Sequence, residues 1–94
     1  MLEKSIVKKI KQHLETKYNA VCYKNFSSSP YATAGIPDLI CCKPPGRFYA
    51  FEVKTPKGKP TPLQLEWIEK FKKAGGIAGS VKSVEDVDEL IHFT

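Results

Sequence analysis

Arg47-Phe48-Tyr49-Ala50-Phe51-Glu52-Val53-Lys54-Thr55 alternates apolar and polar residues at strand period. Successive strand side chains point to opposite faces, so Glu52 and Lys54 share one face and hold an acid and a base side by side. Immediately before this run, Pro44-Pro45-Gly46 is turn chemistry, with Lys43 and Arg47 as the stems of a hairpin. The earlier arm is the run Gly35-Ile36-Pro37-Asp38-Leu39-Ile40-Cys41-Cys42-Lys43. Its proline suits only the first residues of a strand, because proline cannot donate a ladder bond. Antiparallel neighbours lie about 5 Å apart, which brings the Asp38 and Glu52 carboxylates toward each other. Asp38 is also a poor strand former, and a metal would explain an acid just inside an apolar run. The alternative for Glu52 and Lys54 is a solvated pair on an edge strand.

The rest of the chain supplies cover for these strands. Residues 2–18 read as a helix, with Ile6, Val7, Ile10, Leu14 and Tyr18 at helical spacing and lysines on the other faces. On a wheel of about 100° per residue, Val7, Ile10 and Leu14 fall within roughly 40° of Glu3, near the middle of the apolar stripe. Glu3 is therefore either a first-turn acid favoured by the helix macrodipole or a carboxylate directed inward at a site on the sheet. Asn19 tolerates the left-handed conformation that ends a helix, and residues 20–24 alternate as a short strand. Residues 25–35 are loop-like and contain Ser27, Ser28 and Ser29; they are a plain connection or a hydroxyl-rich clamp on a substrate.

Beyond Thr55, the basic link Lys57-Gly58-Lys59 leads to Thr61-Pro62-Leu63-Gln64, which presents an N-cap, a first-turn proline and a third-position Gln in order. This helix runs to about Ala74, where Gly75-Gly76 stops it. Leu63, Trp67, Ile68, Phe71 and Ala74 form its apolar arc, and Gln64 falls inside that arc. Gln64 is thus either the capping partner of Thr61 or a polar group aimed at the site. Residues 77–81 make a fourth strand. Ser83 and Asp86 resemble a capping box for a last helix to about Ile91, with Val84, Val87, Leu90 and Ile91 on its buried face. The order α-β-β-β-α-β-α predicts an α/β fold with a mixed central sheet flanked by helices.

Ninety-four residues make one domain, 1–94, with no room for a second core. A chain that is 41% hydrophobic and 27% charged is not a disordered one. Fifteen Lys and Arg against ten Asp and Glu leave a net charge of +5, which favours a polyanionic partner, nucleic acid being the commonest. Three cysteines are an odd number, and the adjacent Cys41 and Cys42 point to opposite faces, so a disulfide framework is not expected. Neither a CxxC nor a Cys/His spacing suggests structural zinc, and the thiols are expected to be small buried hydrophobes. Short apolar runs and an acid at position 3 predict neither a membrane span nor a signal peptide, and hence an intracellular protein.

Glu3, Asp38, Glu52 and Lys54 are three acids and one base, each where local structure does not ask for it. Converging carboxylates repel, and a divalent cation relieves them; oxygen ligands suit Mg²⁺ or Mn²⁺ rather than zinc. With a basic surface around such a centre, the expected substrate is a phosphodiester, with Lys54 countering developing negative charge.

The arrangement resembles the PD-(D/E)XK nuclease superfamily. Pro37-Asp38 is followed, after thirteen intervening residues, by Glu52-Val53-Lys54. GIPDL, FYAFEVKTPKGKPTPLQLEWIEKFKKAGG and the element order resemble the VRR-NUC group, the virus-type replication-repair nucleases, across nearly the whole chain. That resemblance implies a restriction-endonuclease-like fold and a metal-dependent DNA endonuclease. It implies Glu3, Asp38 and Glu52 as metal ligands, the Val53 carbonyl as a further one, and Lys54 and Gln64 as the remaining active-site groups. A domain of this size looks like the phage and bacterial members, which implies a Holliday-junction resolvase-like activity on branched DNA and a homodimer. Phe48, Tyr49, Phe51 and the last helix are candidates for the dimer interface or for the core. Lys24, Ser27, Ser28, Ser29, Lys57 and Lys59 are candidates for binding the DNA backbone.

Overall fold

A computed structural model describes residues 2–25 and 33–93. The elements run α1 (Glu3–Lys17), β1 (Val21–Lys24), β2 (Leu39–Lys43), β3 (Arg47–Val53), α2 (Pro62–Lys73), β4 (Ile77–Val81) and α3 (Val84–His92), in the expected α-β-β-β-α-β-α order. The sheet order is β1-β2-β3-β4; β1/β2 and β2/β3 are antiparallel, and β3/β4 are parallel with α2 as the crossover. Among the described residues, no helix is long and apolar enough to cross a membrane.

β3 is hydrogen-bonded on both sides, and this changes the reading of its pattern. It is not an edge strand, and from Tyr49 to Val53 both of its faces are buried. Tyr49, Phe51 and Val53 face the layer of α1 and α3, joining Ile6, Val7, Ile10, Leu14 and Val87 in the larger core. Ala50 faces α2 and sits beside Ala78 on β4, where two small residues let Ile68 and the half-buried Phe48 and Phe71 close over the sheet. Tyr49 and Phe51 therefore belong to the core. Gly79 has a steric role, because a Cβ there would lie 2.7 Å from Leu90 Cδ2, where α3 crosses β4.

β2 is shorter than the apolar run suggests, starting at Leu39 rather than Gly35. Gly35 adopts φ +87° in a turn, and a Cβ on it would fall 2.8 Å from Leu63 Cγ, at the first turn of α2. Pro37 follows without a ladder donor, so Asp38 stands at the threshold of the strand rather than inside it.

The helix ends follow their capping residues. Thr61 and Gln64 form a reciprocal capping box, Thr61 Oγ1 accepting from Gln64 N at 3.2 Å and Gln64 Oε1 accepting from Thr61 N at 2.9 Å. Thr61→Ala is expected to cost about 1 kcal/mol, read as a fall of about 4–8 °C in melting temperature. At α3 the expected box is only half formed: Ser83 Oγ accepts from Asp86 N, but the Asp86 carboxylate turns to Lys82 N. Asn19 ends the first helical segment at φ 55°. The far end of α1 is tied to α3 through Asp88, whose Oδ1 pairs with His13 Nε2 at 2.7 Å and accepts from Tyr18 Oη at 2.6 Å, while Oδ2 accepts from Lys17 Nζ at 3.1 Å. Burial works to raise the Asp88 pKa, but these three partners outweigh it and hold it at about 2.

Candidate active site

The β2/β3 register pairs Leu39 with Phe51. Extended by one residue it sets Asp38 opposite Glu52, as the hairpin turn requires. Asp38 is held twice at this point: its carbonyl accepts from Asn25 N, and its Oδ2 accepts from Val53 N, both at 2.8 Å. The half-buried Glu3 comes in on the first turn of α1, whose positive dipole end favours a negative charge. One carboxylate oxygen from each of Glu3, Asp38 and Glu52 lies within 4.8 Å of the other two. Glu3 thus takes the inward of its two readings.

Glu52 is 1% exposed, so the solvated-pair alternative does not apply to it. Its Oε1 has no hydrogen-bond partner among the described residues. Burial is the main influence that pushes its pKa up to about 9, followed by a hydrogen bond with Asp38 and the Asp38 and Glu3 charges, while the Lys54 ammonium opposes them. The Lys54 backbone is fixed where β3 ends, its N–H donating to Val81 O at 2.9 Å. A buried carboxyl with an orphaned oxygen, facing two more carboxylates, is a donor set made wholly of hard oxygens. It fits a cation such as Mg²⁺ or Mn²⁺ and offers nothing that would select zinc.

All these residues lie within the span, residues 2–85, that matches the family model of the VRR-NUC domain. The chain belongs to the VRR-NUC family. A solved structure described as a VRR-NUC domain superposes with a TM-score of 0.76 at 33% identity, covering 96% of this chain and 94% of that one. A second, described as a VRR-NUC domain protein, gives 0.72 at 21% identity with 98% and 86% covered, and supports the fold. No curated protein sequence matches the chain significantly. The VRR-NUC fold is nuclease-type, and its acidic cluster is where a divalent metal could sit.

The other sequence candidates are not part of the carboxylate cluster among the described residues. Gln64 stands in the α2 cap, its Oε1 engaged by Thr61 and its amide nitrogen not used by that cap. Lys24 closes β1 opposite Leu39, one residue from the Asp38 end of β2. Lys57 and Lys59 are exposed on the link between β3 and α2, and Lys82 Nζ donates to Pro56 O across that link at 2.7 Å. Ser27, Ser28 and Ser29 lie outside the described residues. The Val53 amide is a functional group that sequence reasoning missed: the resemblance points to its carbonyl, while the N–H orients Asp38. A signal for it exists, since a carboxylate directly across an antiparallel pair from Glu52 lies next to the following backbone amide.

Proposed function

We propose that this VRR-NUC domain is a Mg²⁺- or Mn²⁺-dependent, structure-selective DNA endonuclease that acts on branched DNA, four-way junctions foremost. The observation that carries the reading is the convergence of Glu3, Asp38 and Glu52 around an orphaned buried oxygen, with Lys54 alongside. Glu3, Asp38 and Glu52 would hold the cation, together with the Val53 carbonyl by family resemblance. When bound, the cation supplies charge neutralisation at the scissile phosphodiester and a more acidic water. Val53 N–H keeps the Asp38 carboxylate in one orientation before substrate arrives, so little reorganisation is needed later. Lys54 brings positive charge toward the phosphoryl oxygens as negative charge builds on them, and helps orient the attacking water. Hydrolysis leaves 5′-phosphate and 3′-hydroxyl ends. Gln64 serves the cap and presents its amide nitrogen for a further polar interaction.

Lys24, Lys57 and Lys59, with Ser27, Ser28 and Ser29, are assigned to the DNA backbone. Binding of this kind sets affinity and register rather than base sequence. Replacing Lys57 and Lys59 with Ala together is expected to flatten the slope of log affinity against log salt by about 2, roughly 1 for each phosphate no longer neutralised. An unchanged slope removes both from the interface. The three free thiols fit an intracellular compartment.

Symmetric cleavage of a junction needs two sites related by a two-fold axis, and so a homodimer. A monomeric nuclease acting on flaps or nicked duplex is the second reading. It is favoured by the placement of Tyr49 and Phe51, two of the residues considered for an interface, inside the core. A panel of labelled junction, flap, duplex and single-strand DNAs, with and without Mg²⁺ and beside a solution mass, separates the two. If no divalent cation supports cleavage of any branched DNA, the chain is a DNA-binding module with a nuclease-type fold.

A further inference from the structure

Cys22 on β1 and Cys41 on β2 face each other directly in the β1/β2 register. The type of pairing at this step follows from the hydrogen bonds. Asn25 N donates to Asp38 O, so the pair 25/38 is a hydrogen-bonded one; counting back along the ladder, 24/39 is not, 23/40 is, and 22/41 is not. Directly opposed residues of the non-hydrogen-bonded kind have Cα atoms about 4.5 Å apart, the closer of the two spacings, and inside the range that a disulfide spans. Both side chains point into the α1-facing core, where the two residues stand opposite each other. Cys22 is half-buried, whereas Cys41 is buried. Cys42, the neighbour, is exposed and belongs to the other face.

We propose that Cys22 and Cys41 are a dithiol modification site, closing to an intramolecular disulfide by exchange with a low-molecular-weight disulfide such as oxidised glutathione. Cys22 is the attacking group because solvent reaches it, and its pKa is lowered chiefly by the hydrogen bond with Cys41. Its thiolate, having given its proton to water, attacks one sulfur of the reagent; a mixed disulfide forms and one thiolate leaves. The Cys41 thiol then loses its proton and attacks the Cys22 sulfur, expelling the second thiolate. Two protein thiols are oxidised and one reagent disulfide is reduced to two thiols.

Cross-strand Cβ atoms in such pairs sit about 4.5–5.5 Å apart, whereas a disulfide holds them near 3.8 Å. With the Cα atoms already at the short end of the disulfide range, that gap closes by tilting the two Cα–Cβ bonds toward each other, a strain that makes the bridge readily reducible rather than a permanent staple. The strand that carries Cys41 begins immediately after Asp38.

The test uses the folded chain carrying Cys42→Ser, which removes the exposed thiol and leaves Cys22 and Cys41. In oxidised glutathione both remaining thiols are expected to disappear together. Intact mass should fall by two hydrogens, a peptide map should join Cys22 to Cys41, and dithiothreitol should restore both thiols with the circular dichroism spectrum unchanged. Adding Cys41→Ser should trap a stable glutathione adduct on Cys22, and adding Cys22→Ser should leave Cys41 unmodified. The proposal is overturned if both thiols survive in the folded protein, if a glutathione adduct on Cys22 persists while Cys41 is present, or if the bridge forms only as the folded spectrum disappears.

Discussion

Asp38→Asn is expected to slow cleavage of branched DNA in saturating Mg²⁺ by on the order of a thousandfold or more while leaving DNA affinity within a few-fold. The substitution retains size and shape, and the Asn carbonyl oxygen still accepts from Val53 N, so the clamp between β2 and β3 survives. What disappears is one of the three carboxyl groups whose oxygens converge within 4.8 Å of one another. Charge stabilisation of a phosphoryl-transfer transition state by a bound cation is worth several kcal/mol, and each 1.36 kcal/mol is tenfold in rate. Affinity for DNA is expected to come from the basic surface rather than from that carboxylate. Single-turnover cleavage of a labelled junction, beside anisotropy binding in EDTA, reads the two quantities separately. A variant within tenfold of the parent would remove Asp38 from the chemistry.

Without divalent cation, stability is expected to fall as pH rises from about 5 to about 9, and Glu52→Gln is expected to remove most of that slope. The Glu52 carboxyl titrates from 4.5 when free to about 9 when folded. Below the lower value both states hold the proton and stability is undiminished. Between the two values the unfolded chain releases a proton that the folded chain keeps, so each pH unit costs up to about 1.4 kcal/mol. Above the upper value both states are ionised and the loss is complete. At about 4–8 °C per kcal/mol, the fall between pH 5 and 8 should exceed roughly 10 °C in melting temperature. Gln has the same shape and no proton to lose. Mg²⁺ should raise the parent's melting temperature more at pH 8 than at pH 5, because the cation takes the place of that proton. Parallel pH profiles for the parent and Glu52→Gln in EDTA would contradict the assignment.

The element order and the three-carboxylate cluster are legible in the sequence because short-range signals agree. Pro44-Pro45-Gly46 sets the hairpin, and the hairpin sets Asp38 against Glu52. Thr61 and Gln64 announce a capping box that forms as written. Glu3 is ambiguous on a wheel because helical periodicity gives a direction but not the depth of a first-turn residue. Burial of β3 on both faces is hidden: its alternation looks half-exposed until α2 and the parallel partner β4 cover the polar-looking face, and no local signal encodes a crossover. The start of β2 is hidden for a similar reason. An apolar run does not reveal that Gly35 turns under Leu63, a meeting of residues far apart in the chain. Cys22, Cys41 and Cys42 all read as small buried hydrophobes in sequence, whereas Cys22 is half-buried and Cys42 exposed, because the pairing register and the cover over each face of β1 and β2 are not encoded in their spacing.

The knot around Asp88 gives α1 the character of a lever. His13, Lys17 and Tyr18 pin its heel to α3, while Glu3 is carried at its tip. Ten residues of helix separate His13 from Glu3, an arm of about 15 Å at 1.5 Å per residue. A tilt of only about 4° about that heel would swing the carboxylate by about 1 Å, a displacement that can cost a hundredfold in rate at a reacting centre. The ionic fastening at one end of α1 and the acid at its other end are thus joined by a single helix, without touching each other.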